Sequence, residues 1–158
     1  MKSLYIFDID GTIALIEHRL HYIKRDRLEA DWKGFYRACD KDIPNTNVIN
    51  TMEKLKFAGS DIWFFSGRNA GINGEVKQKT IDWIAEHTSF MTHEINDILI
   101  MRQMNDYTAD DTLKQSMYNN MLIEDQNRLV ATFDDRQRVV DMWRRNNITC
   151  FQVAKGDF

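Results

Sequence analysis

The stretch "SLYIFDIDGTIA", Ser3–Ala14, decides the fold. Its first half is an apolar run, Leu4–Phe7, that reads as a short strand buried on both faces. Its second half sets two carboxylates, Asp8 and Asp10, directly after that strand, and Gly11 lets the chain turn sharply there. A carboxylate beside a buried strand loses its hydration, so two of them there need partners. Residues i and i+2 of an extended chain point the same way, so Asp8 and Asp10 are expected to face one cavity.

Working outward, the same pattern of apolar block and polar exit recurs. Further blocks are Ile62–Phe65, Ile98–Met101, Leu129–Phe133 and Thr149–Val153. Helical spacing of apolar residues lies between them, over Asn47–Phe57, Glu75–His87, Asp110–Met121 and Arg136–Asn146. Strands alternating with helices predict an α/β, Rossmann-like parallel sheet with helices on both faces. Residues 15–43 break the alternation. They are charged and aromatic, and read as a small, mainly helical, cap-like insertion after strand one. Segments at that place overhang the ligand crevice of an open α/β sheet. The whole of 1–158 reads as one domain.

Ligands of such sheets sit outside the carboxyl ends of the strands. Strand one exits into Asp8-Ile9-Asp10-Gly11-Thr12, and the second into Ser66-Gly67-Arg68. The third exits into Arg102, and the fourth into Asp134-Asp135. Carboxylates crowded together raise each other's pKa unless a cation joins them. Oxygen-only donors suit a hard divalent ion, Mg²⁺ above all. A metal, a hydroxyl and arginines together suit a phosphate. One carboxylate facing that phosphate can attack it and form an aspartyl-phosphate. Singly these signals say little: D-x-D is common on surfaces, and Asp134-Asp135 alone reads as a turn or an N-cap. The ordered set, each member after its own strand, is far more specific.

Composition bounds the rest. With 158 residues, of which 43% are apolar, one real core can form; one proline and seven glycines argue against low complexity. A net charge of −3 excludes bulk electropositivity and leaves room only for a local basic patch. Two cysteines, Cys39 and Cys150, make neither a disulfide framework nor a zinc spacing, and read as buried thiols in a reducing, cytoplasmic setting. The first apolar run stops at Asp8, too short for a signal peptide, and no run is long enough for a membrane span.

"FDIDGT", "FFSGR", Lys114 on a helix and "FDDR" together resemble the four motifs of the haloacid dehalogenase (HAD) superfamily of phosphohydrolases. The resemblance spans nearly the whole chain. It implies that Asp8 is the nucleophile and Asp10 the general acid and base. It implies that Ser66 bonds the phosphoryl group and that Lys114 neutralises its charge and steadies Asp8. It implies that Mg²⁺ would be held by Asp8, the main-chain carbonyl of Ile9, Asp10 and Asp134, with Asp135 helping directly or through water.

Within that superfamily the tail "FDDRQRVVDMWRRNNITCFQVAKGDF" is similar to the 3′-phosphatase domains of T4-like phage polynucleotide kinase–phosphatases. That similarity implies substrate-binding roles for Arg19, Asp42, Gly67, Arg68, Arg102 and Asp110, and a phage-encoded protein in the host cytoplasm. Thr108 stands where those domains have an arginine. No G-x-x-x-x-G-K-[ST] loop is present, so ATP-dependent phosphorylation is not expected.

The insertion carries His18, His21, Lys24, Arg25 and Arg27, interleaved with Tyr22, Trp32, Phe35 and Tyr36. Such a mix can guide a nucleic-acid end and stack a base; read as an amphipathic helix, most of it is a solvated basic face. Of the later basic group Arg136, Arg138, Arg144 and Arg145, only Arg136 is expected near the rim. The favoured reading is a Mg²⁺-dependent phosphomonoesterase removing 3′-phosphate from DNA or RNA ends. The alternatives are a nucleotidase for free mononucleotides and a catalytically silent nucleic-acid-end binding module.

Overall fold

The computed structural model describes residues 1–23 and 29–156. Lys24, Arg25 and Arg27 of the basic and aromatic insertion lie outside the described residues.

Five parallel strands form the central sheet: β1 (Leu4–Phe7), β4 (Asp61–Asn69), β5 (Leu99–Arg102), β6 (Leu129–Asp134) and β7 (Thr149–Gln152). Their order is β5-β4-β1-β6-β7. β4 and β5 thus fall on one side of β1, and β6 and β7 on the other. The crevice created by that reversal lies at the carboxyl end of β1, where "DIDGT" begins.

The helices divide between the two faces. On one face α2 (Thr46–Phe57), α3 (Glu75–His87) and α4 (Thr92–Ile98) bury Ile49, Met52, Val76, Trp83, Ile84 and Ile95 against Phe7, Ile9 and Phe64. On the other, α5 (Asp110–Asn119) and α7 (Gln137–Arg145) bury Leu113, Met117, Val139, Val140 and Trp143 against Leu4, Ile6 and Phe65. The period of two along β1 therefore sends Phe7 and Ile9 to the first face, and Leu4, Ile6 and then Asp8 to the second. This parity decides which helix can reach Asp8, and it is α5. The apolar spacing expected in α3, α5 and α7 matches the side chains that are buried there.

Two helices went unforeseen. The seven-residue α4 and the five-residue α6 (Ile123–Asn127) are too short to show a full amphipathic period. The expected third strand began at Ile98. The observed β5 begins at Leu99, because Ile98 closes α4.

Between β1 and α2 the chain forms a small lobe. A two-stranded antiparallel ribbon, β2 (Ala14–Leu15) with β3 (Ile43–Pro44), closes its base. Above the ribbon lie 3-10 turns at Glu17–Tyr22 and Ala38–Lys41 and the helix α1 (Trp32–Arg37). Asp31 caps α1 by accepting from the Gly34 main-chain N–H at 2.8 Å. Among the described residues no helix is long and apolar enough to cross a membrane.

Candidate active site

Register builds the centre of the site. Phe7 pairs with Phe133 across β1 and β6, and their rings stack at 4.2 Å. The next residues, Asp8 and Asp134, follow the two strands out side by side. The Asp8 main-chain N–H still donates to the Phe133 carbonyl at 2.9 Å. Adjacent carboxylates repel, and Lys114 on α5 answers them. Its Nζ donates to Asp8 Oδ1 at 2.5 Å and to Asp134 Oδ2 at 2.7 Å. Leu113 and Met117 pack the same helix down, so the lysine is 3% exposed and has nowhere else to go. Burial alone would lower the Lys114 pKa, but the Asp134 and Asp8 charges outweigh it and hold the ammonium charged.

Asp135 completes a buried acidic triad. One oxygen from each of Asp8, Asp134 and Asp135 lies within 4.8 Å of the others. Burial raises the Asp8 pKa well above the usual carboxylate range, against the pull of Lys114. Burial, and then the neighbouring charge of Asp134, push Asp135 up to about 7. One lysine faces three carboxylates here, and the deficit of positive charge fits a hard divalent cation. The Asp135 side chain lies in a slot of two glycines. Gly11 has φ +82°, and a Cβ on either Gly11 or Gly156 would overlap the Asp135 carboxylate. The Gly156 N–H and the Gln152 side chain both donate to the Asp135 carbonyl, at 3.1 and 3.0 Å.

Two donors expected for the metal do not join this cluster. The Ile9 carbonyl accepts from the Thr12 and Ala14 N–H groups at 3.1 and 3.0 Å, so its lone pairs are used within the turn. The Asp10 carboxylate is instead taken by arginines. Arg19 Nη2 and Arg68 Nε donate to its Oδ1 at 2.6 and 2.7 Å. Burial would raise the Asp10 pKa, but the Arg19 and Arg68 charges dominate and hold it far below the usual carboxylate range.

Arg19, Asp42 and Arg68 were expected to bind substrate, and the structure places them elsewhere. They lie behind Asp10, away from the cavity wall, at 0%, 4% and 0% exposure. Asp42 accepts from Arg19 at 2.6 and 2.7 Å, from Arg68 Nη2 at 2.6 Å, and pairs with His18 Nε2 at 2.8 Å. Buried guanidiniums need bidentate partners, and Asp10 and Asp42 supply them. The result is a bracket that fixes Asp10 from behind. Trp83 Nε1 donates to the Asp42 carbonyl at 2.8 Å and ties the bracket to α3.

Ser66 is buried beneath Gly67, its Oγ accepting from the Arg68 N–H at 3.2 Å. Gly67 is required by close approach, since a Cβ there would meet Asp110 Oδ1 at 2.9 Å. Arg102 holds the rim together. It donates to the Gly67 carbonyl at 2.8 Å, the Thr108 carbonyl at 2.6 Å and Asp110 Oδ1 at 2.5 Å. Arg136 grips the other oxygen of Asp110.

Asp8, Asp10, Gly67, Arg102, Asp110, Lys114, Asp134 and Asp135 all line one cavity of about 680 Å³. Asp8 and Asp10 do face it together, as the i, i+2 spacing predicted. Its outer wall adds Trp32, Lys33, Tyr36, Tyr107, Arg136 and Arg138. Sequence reading singled out Arg136 but left Arg138 to the solvent, and passed over Tyr107. Tyr107 lies in the loop that follows β5, the position where the carboxyl-end rule directs attention. Burial, then Asp10 and Asp110, push the Tyr36 phenol up to about 12, and it donates to the Gly67 carbonyl at 3.4 Å.

The family model for the polynucleotide kinase PNKP phosphatase domain matches residues 2–158. The chain belongs to the PNKP phosphatase-domain family. Its relatives agree. A protein of Autographa californica nuclear polyhedrosis virus that carries the name bifunctional polynucleotide kinase/RNA ligase is 30% identical over 150 residues, 94% of this chain and 19% of that protein. A chain in the solved Pnkp1/Rnl/Hen1 RNA repair complex is 30% identical, with a TM-score of 0.74 over 100% of this chain and 44% of that one. A class C acid phosphatase from Bacillus anthracis, solved with tungstate, is 13% identical at a TM-score of 0.60 over 88% of this chain and 54% of that one, and shares the fold. This PNKP-type phosphatase domain is thus a HAD phosphatase of the kind found in nucleic-acid repair proteins. It spans a fifth to under half of the relatives named here that carry polynucleotide kinase or RNA repair names.

Proposed function

We propose that this PNKP-type phosphatase domain removes the 3′-phosphate from DNA or RNA ends through an aspartyl-phosphate on Asp8, with Mg²⁺ as cofactor. The observation that carries the reading is the buried set of Asp8, Lys114, Asp134 and Asp135 in a cavity whose wall also carries arginines, a lysine and aromatic rings among further acids. Asp8, Asp134 and Asp135 would hold Mg²⁺, which when bound supplies positive charge to the transferring phosphoryl group. Lys114 fixes Asp8 by its Oδ1, leaving Oδ2 to attack phosphorus. The bond from phosphorus to the 3′-oxygen breaks, and Asp10 serves that oxygen as proton donor, a role that needs its carboxyl protonated against the hold of Arg19 and Arg68. Asp10 then takes a proton from water as the water attacks phosphorus, releasing inorganic phosphate and restoring Asp8. Ser66, buried beneath Gly67 and outside the cavity lining, would bond the phosphoryl group only once the Gly67 segment gives it access. Arg19, Arg68 and Asp42 act as positioning residues for Asp10, while Arg102 and Asp110 shape the entry.

Residues 15–43 serve as a cap-like insertion on a single domain spanning 1–158. The buried free thiols Cys39 and Cys150 are in keeping with a reducing cytoplasm. The experiment is a kcat/KM comparison of a 3′-phosphorylated oligonucleotide with 3′- and 5′-mononucleotides, with and without Mg²⁺. The oligonucleotide is expected to be preferred. A preference for mononucleotides would establish a nucleotidase instead. Binding of ends without turnover of any phosphomonoester would leave only a binding module.

A further inference from the structure

Beside its acidic residues the wall of the cavity carries Trp32 at the start of α1, and Met104 and Tyr107 from the loop after β5. These are exposed yet share a cavity with the nucleophile: Trp32 is 47% exposed and Tyr107 89%. Single exposed aromatics on an open surface are ordinary. An indole in the wall of the cavity that holds the candidate nucleophile is a different matter, because it offers a flat π-face within the same site.

The indole is held. Phe35, the next aromatic on α1, is buried and meets Trp32 edge-on at 5.8 Å, and Tyr36 lies 5.9 Å from it. Tyr36 is itself bonded to the Gly67 carbonyl, so α1 is braced directly to the strand end that carries Ser66 and Arg68. A cavity of about 680 Å³ is also far larger than a phosphate needs and is the size of a nucleotide-scale ligand site. Lys33 and Arg138 in the same wall add cations that suit a phosphodiester.

We propose that Trp32 is the stacking platform for the base of the terminal nucleotide, with Tyr107 completing the aromatic wall. The inference rests on the polynucleotide-end reading above. Stacking on an aromatic is tolerant of base identity, so the site selects a nucleotide end without selecting its sequence.

The test compares two oligodeoxyadenylates ending in 3′-phosphate, one with its terminal base and one abasic there. The native chain is expected to favour the base-bearing end by about tenfold or more in kcat/KM. Trp32→Ala brings that ratio toward one, chiefly through KM, and Trp32→Phe restores most of it because a ring remains. A second readout needs no turnover. In an Asp8→Asn background the base-bearing oligonucleotide quenches tryptophan fluorescence, and adding Trp32→Phe abolishes the quench; the abasic end quenches neither protein. An unaltered ratio in Trp32→Ala, or a quench that survives Trp32→Phe, overturns the proposal. If no phosphomonoester is turned over at all, the catalytic reading fails, and the fluorescence arm still decides the platform.

Discussion

Lys114 Nζ lies 2.5 Å from Asp8 Oδ1 and 2.7 Å from Asp134 Oδ2, so one ammonium joins carboxylates from two neighbouring strands. The ammonium and all three carboxylates of the triad are buried. Breaking a buried pair by removing one partner costs about 3–5 kcal/mol. Lys114→Ala is therefore expected to abolish turnover and, in EDTA, to lower Tm by about 10 °C. Mg²⁺ should recover more of that loss in the variant than it adds to the native chain. Scanning calorimetry with and without Mg²⁺ checks both; an unchanged Tm in EDTA would mean the pairing contributes nothing.

Asp8→Asn keeps the side-chain shape and a carbonyl for Lys114 but removes the nucleophilic carboxylate. Turnover of every phosphomonoester should vanish while a 3′-phosphorylated oligonucleotide still binds. Trapping in acid after a short reaction with labelled substrate should give a phosphorylated native protein and none in the variant. Residual steady turnover by Asp8→Asn would remove Asp8 from the nucleophile's place.

The bracket behind Asp10 makes a prediction about coupling. Arg68 contacts Asp10, Asp42 and Thr80 at once, and lysine cannot reproduce that fork. Arg68→Lys is expected to lower both Tm and kcat. Arg68→Ala and Asp42→Ala each strip one partner from a buried ion cluster that Arg19 and Asp10 still hold, so the double variant should be less unstable than the two single losses combined, by roughly 0.5–3 kcal/mol. Simple additivity in urea unfolding would contradict a shared network.

Gly156 lies against the Asp135 carboxylate with no room for a methyl group. Gly156→Ala must therefore displace Asp135 or the tail that carries it. The expected result is an apparent Mg²⁺ affinity about 10–100-fold weaker, with most of kcat regained at saturating metal. Equal Mg²⁺ dependence in the variant would show that the slot does not orient Asp135.

Both thiols are buried, and burial pushes Cys150 up to about 11 and raises Cys39 as well. Only the thiolate is alkylated, and its fraction falls as the pKa rises. In the native chain iodoacetamide should react slowly at pH 8, and the rate should keep rising with pH well past 9 instead of levelling there. Unfolding in urea should release fast reaction at both sites. Rapid labelling of the folded chain at pH 8 would contradict the buried setting.

Much of this architecture was legible in local pattern. The alternation of apolar blocks and amphipathic segments encodes strands and helices because each signal is complete within a few residues. The carboxyl-end rule then drew Asp8, Asp10, Ser66, Arg102, Asp134 and Asp135 toward one rim, because a parallel sheet carries all its strand exits on one side. What pattern misjudged was reach. Arg19 and Arg68 carry the charge of phosphate ligands, and only packing reveals that Asp42 and Asp10 already consume it. Arg138 sits where a surface helix would be expected to face water, and the curvature of the rim brings it to the cavity wall.

The sequence by itself determined which chemistry is available: paired acids after the first and fourth expected strands, a lysine on a helix, and arginines at the exits. The tertiary structure decided which of these meet. Lys114 and Asp8 are 106 positions apart, and Gly156 reaches an aspartate whose other neighbour is Gly11. Contacts of that kind depend on strand order, on the parity that turns Asp8 toward α5, and on the volume left between packed faces. Strand order and the volume left between packed faces are not properties of neighbouring residues, and so neither could be read from spacing alone.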